Sequence, residues 1–463
     1  MKNIIFVILF IYAVLAILTI VFFNGTGDAG DSVYHYLFAK YALVHPELFF
    51  DQWAKPVYVL LACPFAQFGF AGVKIFNAVV SLTTIFITFR IAQELNIKNA
   101  IISAVIMIFT PLYYILTFSG LTEPLFAFIT AVCIYLSIKQ KYLVSCLLLS
   151  FLPFVRSEGL IIIGVFGLYF LCIKQWKLLP FLLFGSLVYS IAGYFVHHDF
   201  LWVFNKIPYA KLSSQYGSGN PFHFVVQLLY VVGIPIYILF WTGITSSILR
   251  TIKKKIIREE QLLIFLGFLC FFIAHSLFWY FGIFNSMGLK RVLIGVMPMI
   301  AVISLEGYNF ITEDILSGKR TLKMIIQGLL VAYIVIFPFT SNPAAINWRR
   351  DMMLNKDQQS ANESVHFILQ KQGKNSHILC AHPYLCMVLN IDCFDKNKRL
   401  ELTQNDIEQM KAGDIIIWEN WFAVIESNIK KEHLDQNAGL TNIYTSKTVD
   451  DGREIIYSVY MKK

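Results

Sequence analysis

Residues 27–61 read GDAGDSVYHYLFAKYALVHPELFFDQWAKPVYVLL, and they come after an unbroken apolar run at 4–23. About twenty apolar residues suffice to cross a bilayer as a helix. The run lacks a small-residue cleavage site, so it reads as a retained first span rather than a signal peptide. Beyond it lies a long connection rich in acids, histidine and aromatics, after which the chain turns apolar again. A spanning helix leading into a chemically loaded loop sets the reading of the whole chain.

Composition agrees. Hydrophobic residues make up 57% and charged residues 14% of the 463, against roughly 45–50% and about 25% in soluble domains. Repeating the hydropathy test along the sequence gives about eleven spans, at 4–23, 70–91, 100–117, 121–138, 142–154, 159–173, 178–196, 224–248, 262–281, 292–308 and 324–340. The run at 142–154 is short for a full crossing. The expected fold is therefore an all-α polytopic membrane bundle over 1–340. The polar remainder, 341–463, alternates strand-like and helix-like stretches, HILCA and DIIIWEN against SANESVHFILQKQ and NDIEQMKA, and ends in the strand pair NIYTSKTV and REIIYSVYM. It is long enough for a small α/β domain.

The net charge of +9 does not point to nucleic acid, because the basic residues collect in short loops between spans. Lys2, Arg90, Lys98, Lys139, Lys141, Lys174, Lys177, Arg250, Lys253, Lys254, Lys255, Arg258, Lys319, Arg320 and Lys323 fall on one side. Fewer, including Lys40, Lys55, Lys74, Arg156, Lys206, Lys211, Lys290 and Arg291, fall on the other. By the positive-inside rule the N-terminus is cytoplasmic. An odd number of spans then puts the tail outside an inner (plasma) membrane. Cys63, Cys133, Cys146, Cys172 and Cys270 lie in or near spans, Cys380, Cys386 and Cys393 lie in the tail, and no zinc-binding spacing occurs.

On the outer side sits a set of ionisable residues. Asp31 begins a helical pattern that His45-Pro46 ends, with Asp28 just before it and His35 one turn on. Val33, Leu37 and Phe38 would let that helix lie along the membrane surface. TEPLFAF places Glu123, VRSEGLI places Arg156 and Glu158, and GLKRVLIG places Lys290 and Arg291, all at outer ends of spans. Ionisable groups at that depth are costly unless paired or functional. Plainer roles stand beside the chemical ones. Asp31 serves as a helix cap, Asp28 as a turn residue, His35 as a satisfied surface histidine and Glu123-Pro124 as a helix start. Arg156 and Glu158 neutralise each other, and Lys290-Arg291 snorkels. Forming a glycosidic bond from a sugar phosphate needs a carboxylate to take the acceptor's proton, which Asp31 fits. It also needs cations for the departing phosphate, for which Lys55, Arg156, Lys290 and Arg291 are candidates. SSQYGSGNP, in the outer loop 197–223, matches no nucleotide-binding pattern and suits a flexible loop over the site. In the tail, Trp418, Trp421 and Phe422 either stack on sugars or fill a core.

These residues, in this order, resemble the GT-C glycosyltransferases. The nearest likeness is to bacterial relatives of the dolichyl-phosphate-mannose protein mannosyltransferases and the lipid A aminoarabinose transferases. The likeness covers 1–340. It rests on Asp31 in GDSVYHYLFAKYA, on Lys55-Pro56 in WAKPVYVLL, and on TEPLFAF, VRSEGLI and GLKRVLIGVMPMIA. The family's acidic stretch carries a second acid where this chain has Ser32, which leaves Asp28 as the stand-in. The resemblance implies a donor sugar on a polyprenyl phosphate and a mannose-like hexose. It also implies an acceptor that is a lipid, glycan or protein, and inversion with Asp31 as base. Lys55 and a late basic residue would contact the carrier phosphate. Some members use a divalent cation such as Mg or Mn, for which Asp28, Asp31 and His35 are the candidate ligands. Rival readings are a polyprenol-linked sugar flippase and a non-catalytic assembly subunit of an envelope glycan pathway.

Overall fold

The computed structural model describes residues 2–210, 212–214, 216–254, 261–371, 377–395 and 397–463. Lys211, Lys255 and Arg258 lie outside the described residues, as do the side chains of Lys2, Lys253 and Lys254. Among the described residues six helices are long and apolar enough to cross a membrane: Ile4–Phe22, Gly69–Glu94, Trp176–His197, Leu262–Phe281, Lys290–Ile315 and Arg320–Phe339. This is fewer than the count of apolar runs, because several runs do not form one full-length helix. The run at 100–117 divides into Ile101–Ile108 and Pro111–Thr117. Pro111 lacks the N–H that a continuing helix needs and restrains Thr110 to an extended conformation. The run at 224–248 divides at Gly233, whose φ of 77° a side chain would strain and where a Cβ would lie 2.4 Å from the Phe337 ring. The run at 142–154 closes as the helix Tyr142–Leu149 and a short 3-10 turn.

The helix Lys290–Ile315 is the axis of the bundle, with its most apolar window wholly buried by the helices around it. The basic residues that the charge count puts on one side meet acids at one end. Arg90 and Lys139 share Glu94 at 3.0 and 3.1 Å, Lys98 and Lys323 share Glu313 at 3.5 and 2.7 Å, and Arg250 joins Glu306 and Asp314. Lys55, Arg156 and Arg291 gather at the opposite end.

The tail contains a five-stranded sheet in the order β2-β1-β3-β5-β4, with β1 Ile378–Cys380, β2 Arg399–Leu400, β3 Ile415–Glu419, β4 Leu440–Asp450 and β5 Arg453–Lys462. β1 runs parallel to β2 and β3, whereas β5 is antiparallel to β3 and β4. The strands expected in HILCA, DIIIWEN and the final hairpin are present, as is the helix Lys356–Lys371.

This tail sits on the first loop. His45 Nε2 meets Asp392 Oδ2 at 2.9 Å, Lys40 donates to Asn390 at 2.7 Å, and the Phe38 and Phe394 rings lie 4.7 Å apart. The apolar residues of the helix Asp31–Tyr41 pack on protein. Val33 and Leu37 are completely buried and Phe38 nearly so, between the helix Pro56–Ala66 on one side and the tail on the other. The apolar face expected to meet the membrane surface is thus covered by protein.

Candidate active site

A cavity of about 980 Å³ opens between this end of the bundle and the tail. Asp31, His35, Lys55, Arg156, Glu158 and Arg291 all line it. That volume is at the upper end of the range for sites that enclose a small ligand.

The helix Asp31–Tyr41 starts from Gly30, with no side-chain cap of its own. Asp28 does that work from before the helix, since its Oδ1 accepts from the Gly30 and Ser32 amides at 2.9 and 3.0 Å. Asp31 is thus the first helical residue and not the cap, which leaves its carboxylate clear for the cavity. Ser32 faces the other way and accepts from the Gly120 amide at 2.7 Å. A Cβ on Gly120 would lie 2.2 Å from the Ser32 carbonyl oxygen, so glycine is what lets the loop before Glu123 pack against the start of this helix.

Arg291 organises the cluster. Its guanidinium binds the Asp28 and Asp31 carboxylates together, and its Nε lies 3.4 Å from Glu123 Oε1. Glu123 is entirely buried and also meets Arg156 Nη1 at 2.8 Å. Arg156 continues to Glu158 Oε1 at 2.8 Å and to the Thr122 hydroxyl at 3.1 Å. Planar guanidinium forks suit such shared carboxylate binding. The arrangement sets the charges. Burial alone would lift the Asp31 carboxyl, but Arg291 outweighs it and holds Asp31 below the usual carboxylate range. At Asp28 burial prevails over Arg291, and its carboxyl sits above that range. Burial also acts on Glu158, yet Arg156 beside it brings the carboxyl down to about 2.

Lys55 differs from both arginines. It is held at a φ of 68°, unusual for a residue with a side chain, immediately before Pro56. Its ammonium donates to the Gln52 carbonyl at 2.9 Å and the Ser157 hydroxyl at 3.1 Å. Both acceptors are neutral, and burial pushes the amine down to about 8. A buried ammonium without a bonded carboxylate attracts an incoming anion more strongly than a guanidinium already satisfied by two or three.

His35 is buried, with Nδ1 3.2 Å from the Ala54 carbonyl oxygen. A carbonyl only accepts, so the ring's proton sits on Nδ1 and Nε2 is left as an acceptor. Burial pushes His35 down to about 3, so the ring is neutral. It stacks on Trp53 at 5.2 Å, and Trp53 donates to the Tyr209 hydroxyl at 2.9 Å. Lys290 stands apart from the cluster, its ammonium over the Tyr230 ring at 5.8 Å.

In the tail, Trp418 fills the core and donates to the Ile429 carbonyl at 2.8 Å, and Trp421 lies under Arg453 at 5.5 Å. Phe422 lines the cavity, and so do Cys393 and Phe394. The loop expected over the site contributes Tyr209 and Tyr216. Sequence reasoning passed over Trp53, Tyr209, Ser157 and Phe394. It also missed His275, a cavity-lining histidine inside the span Leu262–Phe281, where an ionisable residue is itself a signal.

The residues suggested for a divalent cation do not fit one. Arg291 occupies both aspartates, His35 turns Nδ1 to a carbonyl, and among the described residues no group of His, Cys, Asp or Glu is arranged to hold a metal.

No family model matches the chain, and no curated protein matches it. Among solved structures it is similar to ArnT from Cupriavidus metallidurans in the apo state. The TM-score is 0.66 at 9% identity, over 97% of this chain and 97% of that one. It is also similar to the oligosaccharyltransferase of Archaeoglobus fulgidus in the apo form. There the TM-score is 0.50 at 12% identity, over 85% of this chain and 64% of that one. Both are GT-C fold membrane glycosyltransferases. The fold of this chain is the GT-C fold, and the chain is a multi-pass membrane protein.

Proposed function

We propose that this protein is a membrane glycosyltransferase that takes a sugar from a polyprenyl-phosphate donor and transfers it, with inversion, to a lipid, glycan or protein acceptor on the extracytoplasmic face. The sugar class we propose is a mannose-like hexose. The bundle 1–340 carries the chemistry, and the tail 341–463 forms a domain that closes the cavity from outside the inner membrane, with the N-terminus cytoplasmic. The GT-C fold supports the class of reaction. The observation that carries the reading is the shared cavity lined by both a carboxylate, Asp31, and an ammonium bonded only to neutral groups, Lys55.

The residues suggest an order of events. The donor phosphate is drawn to Lys55, and Arg156 and Arg291 complete the cationic floor. As the phosphate competes for Arg291, that guanidinium loosens its hold on Asp31, whose basicity rises towards that of an ordinary carboxylate. The acceptor hydroxyl then gives its proton to Asp31 while its oxygen attacks the anomeric carbon. The bond from that carbon to the phosphate oxygen breaks, and polyprenyl phosphate departs with the electron pair. Asp28 anchors Arg291 and the start of the helix rather than handling the proton.

The test is made in cells lacking the protein. Mass spectrometry of their glycans and glycolipids is expected to reveal a missing sugar that the wild-type protein restores and Asp31→Asn, present at the same level in the membrane, does not. Restoration by Asp31→Asn would remove Asp31 from the reaction.

A further inference from the structure

His275 has no part in the transfer steps proposed for Asp31 and Lys55, yet its position is hard to account for as packing alone. It lies in the helix Gly267–Phe281, is 6% exposed and lines the cavity. Its Nε2 is sealed from solvent without a hydrogen-bond partner among the described residues. Three aromatic rings surround it, Phe271 at 4.6 Å, Phe278 at 5.7 Å and Phe224 at 5.9 Å. Its charged neighbours are Glu158 and Arg156. Buried polar groups are almost always hydrogen-bonded, and one left over inside a span calls for a partner.

The surroundings indicate which partner. The ionic floor reaches His275 through Arg156 and Glu158. The same cavity also has an apolar lining in Leu160, Ile161, Phe224, Phe278, Leu289 and Val292, and Phe224 and Phe278 are among the rings around His275. A polyprenyl phosphate has the same sequence of properties, an anionic head joined to a hydrocarbon chain. The imidazole has neighbours of both kinds.

We propose that His275 hydrogen-bonds a phosphate oxygen of the polyprenyl carrier and so fixes the lipid head against Lys55 and Arg156. This rests on the polyprenyl-phosphate donor proposed for the same cavity. His275 is a binding and positioning residue, not a proton carrier, and a phenylalanine in its place keeps the packing but loses the bond.

The test measures binding of a long-chain polyprenyl phosphate carrying no sugar to the full-length protein in detergent, with polyprenol and inorganic phosphate as comparison probes. Wild type is expected to bind the lipid phosphate far better than either comparison probe. His275→Phe is expected to weaken that binding roughly tenfold to a hundredfold, as for a lost hydrogen bond to a charged group, with no change for polyprenol. His275→Phe should unfold no earlier than wild type, because it removes an unsatisfied polar group. His275→Gln, which keeps a donor, should regain part of the affinity and serves as the decisive variant if His275→Phe folds poorly. Unaltered lipid-phosphate binding in His275→Phe overturns the proposal, as does inorganic phosphate binding as tightly as the lipid. Lys55→Met separates the two levels of the argument. If it weakens binding while His275→Phe does not, only the role of His275 is lost, and if neither does, the donor reading fails as well.

Discussion

The guanidinium of Arg291 closes on the carboxylate of Asp31, although 260 positions separate them in the chain. The contact ties the first loop to the start of the central helix and holds the candidate base in its ionised form. A carboxylate held this way is well defined in position and weak in basicity, so its release has to come from whatever competes for Arg291.

Weakening that grip is expected to be visible in the pH dependence of transfer. Arg291 acts against burial to hold the Asp31 carboxyl low. Arg291→Gln should therefore raise the Asp31 pKa and move the acidic limb of the pH–rate profile to higher pH. A limb that stays in place would show that Asp31 does not titrate in the reaction.

Lys55 predicts the opposite limb. Its amine, pushed down by burial to about 8, is charged below that value and neutral above it. Donor affinity should fall as pH rises through about 8, and Lys55→Arg, charged throughout, should flatten the fall even if its absolute affinity is lower. Direct binding of the donor measured across this range checks the point, and a flat wild-type profile would count against Lys55 as the phosphate ligand.

Glu123 is a structural keystone between Arg156 and Arg291. Glu123→Ala leaves both guanidiniums without their common acid. Loss should be about 3 kcal/mol, the lower end for a broken buried pair, because Arg156 keeps Glu158 and Arg291 keeps both aspartates. Thermal unfolding in detergent measures it, and an unchanged midpoint would mean that Glu123 does not hold the two arginines together.

In the tail, His382 Nε2 meets Asp357 Oδ2 at 2.8 Å, and Tyr457 donates to Asp357 Oδ1 at 2.8 Å. Burial opposes charge on both members of the pair, but each holds the other charged, so His382 is raised above 6.5 and Asp357 lowered below 3.8. A raised histidine stabilises fully below its ordinary value, and a lowered aspartate fully above its own. The pair thus contributes most between 3.8 and 6.5. The contribution fades as pH rises through the folded value of His382 or drops through that of Asp357. Amide exchange in β5 should follow that window in the wild type and lose it in Asp357→Asn.

Much of this site was legible in the sequence because acids and bases at the ends of apolar runs are rare and expensive. That signal found Asp31, Lys55, Arg156, Glu158 and Arg291, which line one cavity, and Glu123, which is buried behind it against Arg156 and Arg291. It could not separate Arg291 from Lys290, since which of two adjacent basic residues enters a cluster depends on helix rotation. Nor could it show that Asp28 caps the helix in place of Asp31, or that Glu123 serves two arginines at once. Those depend on partners far away in the chain. The length of an apolar run does not show whether it forms one continuous helix, although Pro111 and Gly233 are present as breakers. The burial of the helix Asp31–Tyr41 was hidden for another reason, that a face covered by a domain reads the same as a face covered by lipid.

The central claim is that Asp31 takes the acceptor's proton, and sugar transfer by purified, reconstituted protein tests it most directly. Asp31→Asn should lower turnover by about a hundredfold or more, as for a lost general base, while donor affinity stays close to that of the wild type. Near-normal turnover in Asp31→Asn would contradict the account.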